Sequence, residues 1–205
     1  MRCLLLTSCL AILLGCSSVY KNLQHTTGSI NDLDKFRPSF ASALYNTDVD
    51  VMGNHLSGLL LMKRMPDSSL RLVFSNEMGF KYFDFEFSKT GNFKVYSIIP
   101  QMNKKAVLKT LRKDFELIMM NNLDSSKLHT RKQDSLVYYT FKQDKGYYHY
   151  ITNPNASALV RMERASKRKP VVQVTMQDYV NGIPDTIGIS HNKFDFTIGL
   201  KRIKR

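Results

Sequence analysis

Residues that commonly do chemistry are present in this chain, but their spacing matches no catalytic or metal-binding pattern. The S-x-x-K spacings that start at Ser18 and Ser190, and the K-T-G at Lys89, have no S-D-N between them, so we interpret them as chance. No G-x-S-x-G elbow and no glycine-rich phosphate loop occurs. The histidines are far apart and lack the HExxH spacing of a zinc site. They are His25, His55, His129, His149 and His191. The sequence therefore predicts no metal ion, no cofactor and no catalytic residue.

Two carboxylates form the one arrangement that could begin an acid–base site. Asp84 and Glu86 stand at i and i+2, so they share one face of a predicted strand. A solvent-exposed strand face gives the same pattern without any catalysis. We therefore predict that the chain is not an enzyme, and an envelope hydrolase is the most distant alternative.

The N-terminus carries the strongest chemical signal. Arg2 is followed by an uncharged, mainly apolar run to Leu14, which is shorter than the ~20 residues of a membrane span and typical of a cleaved signal peptide over residues 1–15. The residues Leu13-Leu14-Gly15-Cys16 resemble the lipobox of bacterial lipoproteins, in which a small residue precedes the acylated cysteine. The resemblance implies that Cys16 carries a lipid anchor, such as palmitate. The alternative is an ordinary secretory signal, but Gly15-Cys16-Ser17 is a poor A-x-A cleavage site.

The cysteines and the net charge limit the possible partners. Cys3 and Cys9 lie in the predicted signal and Cys16 is the predicted anchor, so the mature chain keeps no thiol for disulfides, metal or catalysis. Removing residues 1–15 takes away only Arg2, so the formal charge falls from +13 to +12. An exported lipoprotein does not meet nucleic acid, and we expect anionic lipid head groups as its counter-charges. The alternative is that the charge only keeps the protein soluble.

The lipobox resemblance also implies a location. Position 17 is Ser, whereas lipoproteins retained at the inner membrane carry Asp there, and residues 17–21 lack the acidic stretch that directs some lipoproteins to the cell surface. Both features imply that the protein is lipid-anchored on the periplasmic face of the outer membrane.

The mature chain divides into a short polar segment and one β-rich domain. Residues 16–29 are polar and aperiodic, so we predict a flexible lipidated tether, and we assign residues 30–205 to a single domain. Between residues 30 and 51, apolar residues at helical spacing around Pro38 predict a short helix that leads into a first strand. Apolar runs separated by turn residues then predict an antiparallel meander. These runs are His55 to Lys63, Leu70 to Asn76, Phe80 to Phe87 and Phe93 to Ile99.

One amphipathic helix interrupts the strands. Apolar residues from Val107 to Met119 follow helical spacing, which predicts a helix from Lys104 to Met120 with Asn103 as its N-cap. Strands then resume to the end of the domain, giving about ten or eleven in total. The later strands are Lys127 to Arg131, Leu136 to Lys142, Gly146 to Thr152, Ala158 to Glu163, Val171 to Tyr179, Thr186 to Ser190 and Phe194 to Ile203.

These elements predict a mainly β (α+β) fold: a large curved antiparallel sheet, or incomplete barrel, whose concave face is covered by one main helix. A helix of about 17 residues is only about 25 Å long and cannot cover the whole face, so we expect an apolar concavity. The candidate lining residues are Leu59, Leu61, Leu72, Phe74, Phe83, Phe85, Leu111 and Phe115.

This layout resembles the LolA/LolB-like lipoprotein-carrier fold, an incomplete antiparallel barrel with helices at its mouth and an apolar cavity for acyl chains. The resemblance is carried by the run from His55 to Lys63, the run from Leu70 to Phe74, the strand from Phe80 to Phe87, and the helix after Pro100. It spans most of the mature chain. It implies a carrier or receptor that binds lipid or lipoprotein acyl chains, and the predicted anchor favours the tethered, receptor-like variant.

A second function class stays open beside the carrier. A non-catalytic lipoprotein could dock another envelope protein on its sheet face or on an aromatic hairpin, although core packing explains the same aromatics. The hairpin aromatics are Tyr138, Tyr139, Phe141, Tyr147, Tyr148 and Tyr150.

Overall fold

The computed structural model describes residues 17–121 and 123–204, so the predicted signal peptide and Cys16 lie outside the described residues. Within them, thirteen antiparallel strands form one sheet that is not closed into a barrel, and one main helix accompanies it, which confirms the predicted fold class. In chain order the strands are β1 Gln24–His25, β2 Ser42–Val51, β3 Asn54–Arg64, β4 Leu70–Ser75, β5 Lys81–Phe87, β6 Phe93–Ile98, β7 Leu128–Gln133, β8 Leu136–Lys142, β9 Tyr147–Thr152, β10 Leu159–Ala165, β11 Pro170–Val180, β12 Ile183–His191 and β13 Phe196–Arg202.

The strand order places the two halves of the chain side by side. The sheet runs β1-β7-β8-β9-β10-β11-β12-β13-β2-β3-β4-β5-β6, so the last strand pairs with the second, with Phe196 opposite Val51. Strands β1 and β6 are the edges. The helix α1, Lys105–Met119, belongs to the connection that carries the chain from the β6 edge across to β7.

Helix α1 is held mainly by its buried face. Lys104 is the N-cap and its side chain makes no capping hydrogen bond, so the predicted cap at Asn103 is wrong by one residue. No acidic residue lies in the first turn to offset the helix dipole. The stability of α1 therefore comes from packing against the sheet. The buried helix residues are Leu111, Asp114, Phe115, Leu117, Ile118 and Met119.

Alternation along the strands builds the core. Phe83, Phe85 and Phe87 are buried on one face of β5, as the sequence pattern predicts. On β2, Ala43, Tyr45, Thr47 and Val49 are buried in alternation with exposed or half-buried neighbours. Residues 30–51 form a short helix followed by a strand, as predicted, and a period of two governs the strand at residues 42–51.

Part of the concave face is covered by the segment before β2. Ile30–Phe36 forms a 3-10 helix, and Ser29 begins it with a capping box: the Asp32 carboxylate accepts from the Ser29 N–H at 2.8 Å, and the Ser29 hydroxyl accepts from the Asn31 N–H at 3.2 Å. Leu33 is fully buried in the core.

Residues 17–29 differ from the predicted flexible tether, because they contact the sheet along their length. The Ser18 hydroxyl donates to Lys167 O at 2.9 Å, the Tyr20 hydroxyl donates to Glu163 Oε2 at 2.6 Å, and β1 pairs with β7. These partners lie more than a hundred residues away, so the local sequence carries no signal of them. We call residues 17–25 the strap.

In residues 17–121 and 123–204, no helix is both long and apolar enough to cross a membrane.

Candidate functional site

The structure brings six of the eight candidate lining residues together in one packed core. Each of the six is at most 4% exposed, so they fill the space between sheet and helix. The rings of Phe83 and Phe85 stack at 4.3 Å between centroids, and Phe115 of α1 meets Phe83 edge-on at 6.2 Å. The six are Leu72, Phe74, Phe83, Phe85, Leu111 and Phe115.

Leu59 and Leu61 are placed apart from this group. The buried residues of β3 are Gly58, Leu60 and Met62, so Leu59 and Leu61 point to the opposite face, where they are half-buried. The four residues 59–62 are all apolar, and an uninterrupted apolar run does not reveal which alternate set faces the core. Leu61 lines a smaller cleft of about 630 Å³ near the C-terminus, together with Val180 and Ile203.

The main cleft lies at the seam where the sheet fails to close. It has a volume of about 950 Å³ and is bounded by edge strand β6, helix α1 and the β7–β9 region. Its apolar lining comes from Phe93 and Val95 of β6, Leu108 of α1 and Tyr148 of β9. None of the eight candidate residues contributes to this lining. Which strands are edges depends on the β13–β2 pairing, which cannot be recognised from local sequence patterns.

The rim of the cleft is basic. Five lysine and arginine side chains face two carboxylates there, which leaves a formal excess of three positive charges. Burial lowers the pKa of Lys113, and the nearby Arg164 charge adds to that effect. Such a cleft offers an apolar surface beside positive charge, which suits an anionic amphiphile. The charged lining residues are Lys109, Arg112, Lys113, Lys127, Lys142, Glu116 and Asp144.

Arg112 connects helix α1 to the turn between β5 and β6. Its Nε donates to Glu116 Oε1 at 2.7 Å, its Nη2 donates to Gly91 O at 3.3 Å, and its guanidinium lies 5.6 Å from the Phe93 ring centroid.

Burial, followed by the Glu116 charge, raises the pKa of the Tyr148 hydroxyl well above its usual value. Tyr148 is therefore a neutral hydrogen-bonding group in the cleft at physiological pH.

A buried charge network fixes α1 beneath the cleft. Asp114 is fully buried on the helix, and His191 Nε2 lies 2.8 Å from its Oδ2. Arg164 Nη2 lies 3.4 Å from its Oδ1. The two partners come from β12 and β10, so one carboxylate joins the helix to two strands. Sequence reasoning missed this network, because a lone Asp in an amphipathic helix is expected on the solvent side.

The carboxylate pair considered for catalysis does not converge on a shared site. Asp84 is buried and accepts from Arg71 Nε at 2.6 Å and Arg71 Nη2 at 3.0 Å, with Lys81 Nζ at 3.2 Å. Glu86 accepts from the Tyr96 hydroxyl at 3.1 Å. In the part of the chain that the structure describes, no group of three or more His, Cys, Asp or Glu residues could hold a metal ion.

No protein-family model matches this sequence, and no curated protein is detectably similar to it. Among solved structures, a LolA superfamily protein from Nitrosomonas europaea has a TM-score of 0.52 at 8% identity, over 87% of this chain and 93% of that chain. An outer membrane lipoprotein-sorting protein domain from Vibrio parahaemolyticus scores 0.47 at 8% identity, over 86% and 90%. A DUF1329 family protein from Desulfovibrio piger scores 0.44 at 11% identity, over 84% and 87%.

The similarity to the Nitrosomonas protein covers nearly the whole of both chains, and at this identity it speaks for the fold alone. It agrees with the observed architecture, an unclosed antiparallel sheet with one main helix and a cleft at its open seam. The described part of the chain therefore has a fold similar to that of the Nitrosomonas LolA superfamily protein.

Proposed function

We propose that this protein binds lipid or lipoprotein acyl chains as a carrier or receptor, held by acylated Cys16 on the periplasmic face of the outer membrane. The observation that carries the proposal is the 950 Å³ cleft at the seam, with apolar side chains inside and basic side chains at its rim. The acyl chain would lie against Phe93, Val95 and Leu108, and an anionic head group would meet Lys109 or Lys127. The six packed candidate residues would support the cleft from behind.

The test is native mass spectrometry of the protein purified from its host envelope, followed by displacement of a fluorescent fatty acid. We expect co-purifying lipid and dye binding by the wild-type protein. A preparation without lipid that also fails to bind the dye would contradict the proposal.

Substitutions of two valines with similar exposure test whether the ligand binds in the cleft. Val95 lines the cleft and is 36% exposed, whereas Val160 lies on β10 outside it and is 39% exposed. Val95→Arg places a charge against the acyl chain, and we expect the dye to bind about tenfold more weakly, a change of about 1.4 kcal/mol. Val160→Arg should bind like the wild type, and equal losses in both variants would exclude the cleft as the site.

The anchor has its own test. A Cys16→Ser variant should leave the membrane fraction and should not incorporate labelled palmitate, because the thiol that carries the lipid is gone. Ser17→Ala is the control and should remain acylated and membrane-bound. A Cys16→Ser protein that still incorporates palmitate would refute the anchor.

The exposed edge of the sheet favours a second candidate function. Strand β6 pairs only with β5, and Val95 and Tyr96 on it are exposed, so β6 could add a strand from an envelope protein. The test is cross-linking from position 96 in the host envelope. A cross-link to one envelope protein, together with the absence of bound lipid, would favour this candidate over the carrier.

A further inference from the structure

Five hairpin turns lie side by side at one end of the sheet, and we call them the turn rim. They join β8 to β9, β10 to β11, β12 to β13, β2 to β3 and β4 to β5, which is also their order across the sheet. Neighbouring turns are bonded to each other: Asn192 Nδ2 donates to Pro170 O at 3.3 Å, and Met52 N donates to Asp195 O at 2.9 Å. These bonds join the three central turns of the rim to one another.

The turn rim exposes large apolar side chains. Met78 is 87% exposed and Met52 is 74% exposed, and both occupy the tips of their turns. Phe80 and Phe194 on two of the rim turns are also exposed. Apolar side chains that gather at one end of a soluble domain mark a surface for membrane or protein contact.

Positive charge is concentrated on one turn of this rim. Lys167, Arg168 and Lys169 are consecutive and exposed between β10 and β11, and the sequence contains no acidic residue from 164 to 177. The other turns of the rim carry charges of both signs, because Lys145 and Lys193 are offset by three acidic residues. These are Glu77, Asp144 and Asp195.

The strap ties the N-terminal side of the described chain to this basic turn. Ser18 Oγ donates to Lys167 O at 2.9 Å, and Val19 N donates to Arg168 O at 2.9 Å. Tyr20 secures the strap through Glu163, and its ring lies 4.8 Å from that of His149. In the sequence, Cys16 precedes Ser18 by two residues, and a segment of that length spans at most about 8 Å.

We propose that the turn rim is a membrane-docking surface that rests on anionic phospholipid. The basic turn would contact the phosphates, the apolar tips would enter the head-group region, and the strap would hold the anchor at the same end. Three adjacent cations and several apolar tips act together with an acyl chain, whereas an anchor on a flexible tether would leave the domain free to rotate. The proposal rests on the proposed anchor at Cys16 and is independent of the cleft ligand.

The experiment uses the full acylated protein in two kinds of vesicle, phosphatidylcholine alone and phosphatidylcholine mixed with phosphatidylglycerol. An amine-acetylating reagent labels exposed lysines, and mass spectrometry gives the labelling rate of each one. On the anionic vesicles we expect Lys167 and Lys169 to be labelled at least about fivefold more slowly, and salt at about 0.5 M should remove the difference. Lys63 and Lys89, exposed residues away from the rim, should label equally on both vesicles.

Two variants distinguish docking of the turn rim from membrane attachment by the acyl chain alone. Tyr20→Ala removes the side-chain bond between the strap and Glu163 while Cys16 stays acylated, and we expect the protection of Lys167 and Lys169 to decrease. The control variant Tyr96→Ala, which changes an exposed tyrosine on β6, should retain the protection of both lysines. Equal labelling of all four lysines on both vesicles, or a protein without an acyl chain, would overturn the proposal. Loss of fatty-acid binding in the cleft with protection retained would instead overturn only the proposed function.

Discussion

Two carboxylates on α1, two residues apart, differ sharply in burial. Asp114 is fully buried between His191 and Arg164, whereas the Glu116 side chain is 24% exposed beside Arg112. Removing one member of a buried charge network leaves the others without a counter-charge, whereas an exposed pair is well solvated.

We therefore expect Asp114→Ala to lower the free energy of unfolding by about 3–5 kcal/mol, measured by urea denaturation. Glu116→Ala, the matched control on the same helix, should cost about 1 kcal/mol or less. Similar losses in both variants would mean that the Asp114 network does not hold α1.

His149 makes the stability depend on pH. Burial lowers the pKa of His149 to about 4, and its Nδ1 lies 2.8 Å from Thr140 Oγ1. The unfolded chain takes up a proton near pH 6.5 and the folded chain only near pH 4, so the stability is complete above 6.5 and falls between 6.5 and 4. We expect a loss of about 3 kcal/mol over that window, measured by urea denaturation at several pH values.

A His149→Gln variant should lose much of this slope, since it removes the group that takes up the proton. His129→Gln changes an exposed histidine on β7 and serves as the control, with the wild-type slope retained. An unchanged slope in His149→Gln would assign the pH dependence to other groups.

At the scale of elements, the β8–β9 turn is tightly constrained against β10. Gly146 has φ +87°, and a Cβ there would lie 2.1 Å from the Ala165 carbonyl oxygen. Gly53 in the β2–β3 turn has φ +79° but no atom within 4 Å of such a Cβ. Gly146→Ala should therefore cost about 2–4 kcal/mol of unfolding free energy, and Gly53→Ala about 1 kcal/mol, from thermal or urea denaturation. Equal costs would show that the turn relaxes without penalty.

Much of the fold could be predicted from the sequence because strands β3 to β13 and helix α1 have clear periodicity and turn residues. Their predicted ends fall within a few residues of those observed, and the alternation of Phe83, Phe85 and Phe87 gives the correct buried face. The face of β3 could not be read from four consecutive apolar residues. Strand β1 has only two residues, and its pairing with β7 depends on contacts distant in sequence.

The candidate site was less predictable, because it depends on which strands form the edges. Val95 and Tyr148 line one cleft only after the strands have been ordered and the sheet left open between its edges, β6 and β1. The sequence indicated an apolar concavity, but the structure fills that space with Phe85 and Phe115 and places the cleft at the seam. The positive charge at the rim of the cleft is visible in the sequence only as a general excess of lysine and arginine.

At the scale of the whole molecule, an open sheet should have unequal local stability. Strand β6 has one neighbour and an exposed side, whereas β13 is paired on both sides in the middle of the sheet. Hydrogen exchange should therefore be at least about 100-fold faster for the fastest amides of β6 than for those of β13. Uniform protection across both strands would indicate that the β6 edge is covered in solution.

The pairing of β2 with β13 has a consequence for folding during synthesis. Val51 lies opposite Phe196, and the Tyr45 hydroxyl donates to Pro184 O at 2.8 Å across 139 residues of sequence. The middle of the sheet therefore cannot form until nearly the whole polypeptide has been synthesised. If residues 1–15 are the export signal that we propose, the nascent chain would thus stay unfolded after its first half has been synthesised. The topology of the sheet would then delay folding until after translocation.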